Sequence, residues 1–251
     1  MKKLLITLFL LSTLYVACQS NGITRNSKII INEFHQENGE NNMHKLFLAS
    51  FFSDTAELFV EFTENTCSGK RVVFIPTACI PVKIAYLTAN ADKRALKKLG
   101  MIIDELDVSK ASKDEIENKI RSTDYIFVAG GNTFFLLQEM KHSGADKLII
   151  EHIENGKIYI STSAGSIITS KNIEYIKYMD NPKAAPNLNN NFSALGIVDF
   201  YIVPHNTHIF MKGMVKNIIS KYSEELNLFS ISDKQAIIIK NNKVEIIEVR
   251  K

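Results

Sequence analysis

The chain has 251 residues, a formal net charge of +3 and 45% apolar residues. That length holds one sizeable α/β domain or at most two small ones, and the apolar share is ordinary for a globular protein with a real core. The lysines are scattered, so no nucleic-acid footprint is present, and Cys18, Cys67 and Cys79 show neither metal-ligand spacing nor a disulfide framework. Cys67 and Cys79 could pair in an oxidising compartment; two separate thiols is the plainer reading.

At the N-terminus, Lys2-Lys3, the apolar run Leu4 to Leu11 and the stretch Ser12 to Cys18 follow in the order of a secretory signal. The apolar run is too short for a comfortable membrane span. A cysteine directly after Val16-Ala17 is similar to a bacterial lipobox, with Tyr15 where an aliphatic residue is usual. Residues 1–17 are therefore read as a lipoprotein-type signal peptide, Cys18 as the lipidation site and 18–43 as a flexible, polar, Asn-rich tether. Residues 44–251 are the folded domain. This reading puts the protein at a bacterial cell envelope. In the competing one, translation starts at Met43 and the protein is cytoplasmic.

Leu46 to Ser50 reads as a buried strand, followed by a helix through Phe59 and Phe62. Val72 to Pro76 is a second strand, and a helix over about 83–99 stops at Gly100. Met101 to Leu106 is strand-like, 112–121 is helical, and Tyr125 to Val128 is a strand running into Ala129-Gly130-Gly131-Asn132. A helix pair over 133–155 breaks near Ser143-Gly144. The strand Lys157 to Ile160 then enters Ser161-Thr162-Ser163-Ala164-Gly165-Ser166. A long polar stretch, 171–196, precedes a strand from Ile197 to Val203 that ends in Pro204-His205. A helix over 211–225 and strands over 228–232 and 235–248 follow, with a hairpin at Asn241-Asn242. Strands alternating with helices at this spacing predict a mainly parallel sheet covered on both faces, whose ligands bind beyond the carboxyl ends of the strands.

Three motifs fall at such ends. A strand running into a small-residue turn is how a nucleophile elbow presents a serine, here Ser163, although Ser161 stands where G-x-S-x-G has glycine. A serine hydroxyl needs an adjacent base, for which His205 is the best candidate and His208 the alternate. A third group must hold the imidazole. Asp180, in a Pro-bounded turn, is the first choice and Glu174 the second. The turn Gly130-Gly131-Asn132 offers backbone N–H groups that could receive an oxyanion together with the N–H of Ala164, or could instead cradle a phosphate. Neither a P-loop ending nor a three-glycine dinucleotide fingerprint accompanies it.

Together these segments resemble the peptidase E (aspartyl dipeptidase) family of serine peptidases, which is related to cyanophycinase. The resemblance spans about 45–250. It is carried by Lys45 to Phe52, Ala129 to Thr133, Ser163-Ala164-Gly165, Val203-Pro204-His205 and Asp233-Lys234-Gln235-Ala236. It implies a three-layer α/β/α sandwich like class I glutamine amidotransferases, with a serine in place of their cysteine. It also implies a serine exopeptidase of the dipeptidase type, acting through a Ser-His-acid triad and an acyl-enzyme. Ser163 becomes the nucleophile, His205 the base, Gly131 and Ala164 the oxyanion donors, and Asp180 or Glu174 the acid. Asp-X specificity would need a cationic pocket, for which Lys212, Lys216 and His208 are the candidates. A small peptide is the expected substrate, with no metal, organic cofactor or nucleic acid. The membrane is reached through Cys18 if that residue is processed, and a homodimer is compatible with the chain. The reading from another class is a catalytically inactive, lipid-anchored binding protein of the same fold.

Overall fold

Apolar runs too short for helices make the strands of this protein, and the amphipathic stretches between them make the helices. The computed structural model describes residues 28–33 and 44–250. In chain order the elements are β1 (Lys28–Glu33), β2 (Lys45–Ala49), α1 (Phe52–Phe62), β3 (Arg71–Ile75), α2 (Ala85–Lys98), β4 (Ile102–Glu105), α3 (Lys113–Ser122), β5 (Tyr125–Val128), α4 (Thr133–Ser143), α5 (Ala145–Glu154) and β6 (Ile158–Thr162). They continue with α6 (Ala164–Ile167), β7 (Tyr201–Val203), α7 (Lys212–Tyr222), β8 (Leu228–Ser230), β9 (Gln235–Lys240) and β10 (Lys243–Glu248).

Eight strands form one sheet in the order β1-β10-β9-β2-β6-β5-β3-β4. The block from β2 to β4 is parallel, whereas β9 runs antiparallel to β2 and continues antiparallel through β10 to β1. Side chains alternate between the two faces, as the period of a strand requires. Leu46, Leu48, Val73, Ile75, Ile126, Val128 and Tyr159 belong to a core with α3, α4, α5 and α7. Phe47, Val72, Phe74, Phe127 and Ile160 belong to a second core with α1 and α2, rich in edge-on aromatic pairs such as Phe47–Phe59. The result is the expected three-layer α/β/α sandwich.

Three local features depart from the sequence-based expectation. Lys28–Glu33, read as part of a flexible tether, pairs with β10 as the edge strand β1, in keeping with the β-branched run Ile29-Ile30-Ile31. The strand expected over 197–203 shortens to β7. It leaves the main sheet and pairs in parallel with β8 in a small sheet of its own. The polar stretch 171–196 holds three 3₁₀ turns (Glu174–Tyr178, Pro182–Ala184, Pro186–Leu188) and is pinned by the buried Tyr175, whose hydroxyl donates to the Ile202 carbonyl at 2.6 Å. The signal-type segment 1–17 and Cys18 lie outside the described residues. Among the described residues no helix is long and apolar enough to cross a membrane.

Candidate active site

The parallel strands β2, β5 and β6 finish level with one another, Leu48 beside Ser161 and Ser161 beside Val128, so the turns that follow them share one edge of the sheet. After β6 the chain folds back sharply. Ser163 takes φ 49° and ψ −107°, a strained conformation for a residue with a side chain. The fold holds it there. The Ser163 N–H donates to the Ala49 carbonyl at 3.0 Å, and the Ser163 carbonyl accepts from the N–H groups of Ser166 and Ile167. Gly165 is obligatory, because a Cβ there would lie 2.2 Å from the Val128 carbonyl oxygen. The departure at Ser161 also has an account. Its buried hydroxyl pairs at 2.9 Å with that of Ser166, which donates in turn to the Ala49 carbonyl at 2.8 Å.

Above the elbow stands His205. It follows Pro204 at the end of β7, is buried, and has φ 65°. Its Nε2 is 2.9 Å from the Ser163 Oγ, and its Nδ1 is 2.7 Å from Oδ1 of Asp233. Ser50, at the end of β2, touches both partners of this pair. Its Oγ lies 3.0 Å from the His205 Nδ1, accepts from the His205 backbone N–H at 2.9 Å, and donates to the Asp233 Oδ1 at 2.9 Å. The Phe51 ring rests against the imidazole at 4.5 Å between centroids. Burial pushes the Asp233 carboxyl up, but the hydrogen bond and charge of His205 and the Ser50 hydroxyl outweigh it and hold the group below the usual carboxylate range.

Asp180 and Glu174, the two expected acids, lie away from the His205 imidazole. The 3₁₀ turns carry Asp180 to the N-terminus of α4, where Oδ2 accepts from the Thr133 N–H at 2.7 Å and from the Thr133 hydroxyl at 2.5 Å. A carboxylate suits that helix end, whose first N–H groups have no partner within the helix. Here burial dominates, and the Asp180 carboxyl is raised. Glu174 is exposed and pairs with Lys177 at 2.9 Å. The carboxylate that meets His205 Nδ1 is Asp233, which was not among the expected acids although its segment helped carry the resemblance. It precedes β9, and because β9 is antiparallel to β2, the start of β9 arrives where the parallel strands end.

The turn Gly130-Gly131-Asn132 packs on the 3₁₀ turn Thr77–Cys79. Gly131 has φ 142°, and a Cβ there would sit 2.1 Å from the Ala78 carbonyl oxygen, so the backbone approach requires glycine. The Asn132 N–H donates to that carbonyl at 2.8 Å, and its side chain caps α4 at the Phe135 N–H. Ala164 opens α6, which leaves its N–H outside the helical ladder and beside Ser163. Cys79, buried, donates its thiol to the Gly130 carbonyl at 3.2 Å, and burial pushes it up to about 12. It and Cys67 are both free thiols. His208 lies 6.1 Å from the His205 ring, whereas Lys212 and Lys216 are exposed on α7. Among the described residues no group of three His, Cys, Asp or Glu is placed to hold a metal ion.

Comparison with known proteins covers the same region. The sequence pattern of peptidase family S51 matches residues 46–247. An uncharacterized peptidase of Listeria innocua is 47% identical over 202 residues, which is 80% of this chain and 95% of that protein. A peptidase E of Shewanella denitrificans is 33% identical over 156 residues, 62% of this chain and 60% of its own. Among solved structures, a peptidase E candidate from Listeria monocytogenes EGD-e superposes with a TM-score of 0.79 at 45% identity, covering 83% of this chain and all of its own. A peptidase from an acI-B1 actinobacterium shares the fold at 16% identity, with a TM-score of 0.58.

Proposed function

The chain belongs to peptidase family S51 and is a peptidase. From that premise we propose that it is a serine exopeptidase of the dipeptidase type, with Ser163 as nucleophile, His205 as base and Asp233 as the acid. The observation that carries the reading is the unbroken row Ser163 Oγ–His205 Nε2 and His205 Nδ1–Asp233 Oδ1, at 2.9 and 2.7 Å. In this mechanism His205 takes the Ser163 proton as Oγ attacks the scissile carbonyl. The N–H groups of Gly131 and Ala164 receive the developing oxyanion. His205 then passes the proton to the leaving amine, and water releases the acyl group by the same route. Asp233 stays ionised and holds Nδ1–H, which leaves the Nε2 lone pair facing the serine.

The substrate class is a small peptide. For an N-terminal aspartate, the candidate cations are His208, whose ring lies 6.1 Å from that of His205, and Lys212 and Lys216. A panel of Asp-X, Glu-X and neutral dipeptides tests both levels of this reading. Ser163→Ala should abolish turnover, by about a million-fold as in other serine triads. Undiminished hydrolysis by that variant sinks the mechanism. Equal rates on Asp-X and neutral dipeptides remove the aspartyl specificity alone. Labelling of Ser163 by a serine-directed phosphonate separates an enzyme from a binding protein that merely keeps the fold.

The lipoprotein-like order of residues 1–18 supports an envelope location through a lipid on Cys18. Mass spectrometry of the mature N-terminus tests it: a diacylated Cys18 is expected, and a chain starting at Met43 overturns it.

A further inference from the structure

The end of β2 gathers every member of the proposed triad. The Ala49 carbonyl accepts from the Ser163 N–H and the Ser166 hydroxyl, and the next residue, Ser50, touches the base and the acid. Ser50 is fully buried, so its hydroxyl has these partners and no water to turn to.

A hydroxyl has one hydrogen and two lone pairs. The Asp233 Oδ1, ionised, can only accept, so the Ser50 hydrogen points to it at 2.9 Å. The His205 backbone N–H can only donate, so one Ser50 lone pair faces it at 2.9 Å. That leaves a lone pair toward the His205 Nδ1 at 3.0 Å. Nδ1 therefore meets a carboxylate oxygen and a hydroxyl lone pair, both acceptors, and only the tautomer with a proton on Nδ1 fits. The same tautomer leaves Nε2 bare toward Ser163. Ser50 thus specifies the base's tautomer from two directions, as an acceptor beside Nδ1 and as a donor that fixes the carboxylate. Its bond to the His205 N–H also supports a residue at positive φ, where a side chain is strained.

We propose that Ser50 is a positioning residue of the catalytic machinery, a fourth member that fixes the tautomer of His205 and the orientation of Asp233. This rests on the triad reading above. Ser50→Ala leaves a buried N–H without its acceptor and Asp233 without one donor. We expect kcat for a dipeptide to fall about ten- to a hundredfold with KM nearly unchanged. We also expect nitrogen NMR of the labelled protein to show His205 passing from one ring tautomer to a mixture. A merely structural serine would not move that spectrum. Wild-type kcat, or a fall in kcat with unchanged His205 signals, overturns the proposal. If Ser50→Ala does not fold, Ser50→Cys decides on the same two readouts, since it keeps the shape and replaces oxygen by a weakly hydrogen-bonding sulfur. The two readings fail separately: undiminished turnover in Ser163→Ala removes the nucleophile, whereas an unaffected Ser50→Ala enzyme that still depends on Ser163 removes only the role of Ser50.

Discussion

Two partly buried aspartates frame this site and their chemistry diverges. Asp180, on the segment between the elbow and β7, spends its Oδ2 on the N–H and hydroxyl of Thr133, and its carboxyl is raised. Asp233, in the turn before β9, faces the imidazole and the Ser50 hydroxyl, and its carboxyl is lowered. Both are aspartates in turns, so neither residue type nor loop context separates them. Burial dominates at Asp180 despite its Thr133 donors, whereas at Asp233 the imidazole and the Ser50 hydroxyl outweigh it. A carboxylate given to a helix terminus organises backbone, and one given to an imidazole organises a proton.

The largest effect that can break this comparison is on rate. Replacing the acid of a serine triad by its amide leaves the wrong imidazole tautomer and lowers kcat about ten-thousand-fold. Asp233→Asn should behave that way in the dipeptide assay, while Asp180→Asn, which still offers an oxygen to Thr133, should stay within about tenfold of wild type. Equal losses would erase the distinction.

A third carboxylate sharpens it. Asp92, fully buried on α2, accepts from the Ser53 N–H at 2.9 Å through one oxygen, while burial pushes it up to about 7. Its folded value lies above its unfolded one, so its contribution to stability is whole below the carboxylate range and is lost as pH rises through about 7. The loss amounts to about 4 kcal/mol. Asp92→Asn should therefore unfold with a flatter pH dependence between about pH 4 and 7 and exceed wild type at pH 8. Denaturant melts across that range check it, and a parallel wild-type slope would count against the assignment.

The smallest effect belongs to Asp180→Ala. It should cost about 1–3 kcal/mol in denaturant unfolding by stranding the Thr133 donors. It should also lower kcat less than Asp233→Ala does, through loosening of the turn that carries Gly131.

Much of this arrangement was legible in the residues. Short apolar runs bounded by helices gave the parallel block, and the pairing of Ser163 with His205 was legible because each lies just beyond a strand of alternating or continuous apolar character. Asp233 follows a different rule. It precedes its strand, and only the antiparallel pairing of β9 with β2, a long-range contact no local pattern announces, brings a strand's beginning to the edge that carries Ser163 and His205. Ser50 was read as the last residue of a buried strand, since nothing in Leu48-Ala49-Ser50-Phe51 says which of its neighbours are polar. Lys28–Glu33 failed for the opposite reason. Six residues in a polar surround look like a linker until β10 offers them an edge.

The thiol behind the Gly130 carbonyl has a practical consequence for classifying the enzyme. Reagents that type peptidases by their nucleophile are often confounded by a reactive cysteine near the site, which mimics thiol dependence. Cys79 is sealed in the core in its neutral form and Cys67 is also buried, so alkylating agents and mild oxidants find neither of them poised to react. Inhibitor profiling of the folded domain therefore tests the proposed serine nucleophile free of interference from Cys67 and Cys79.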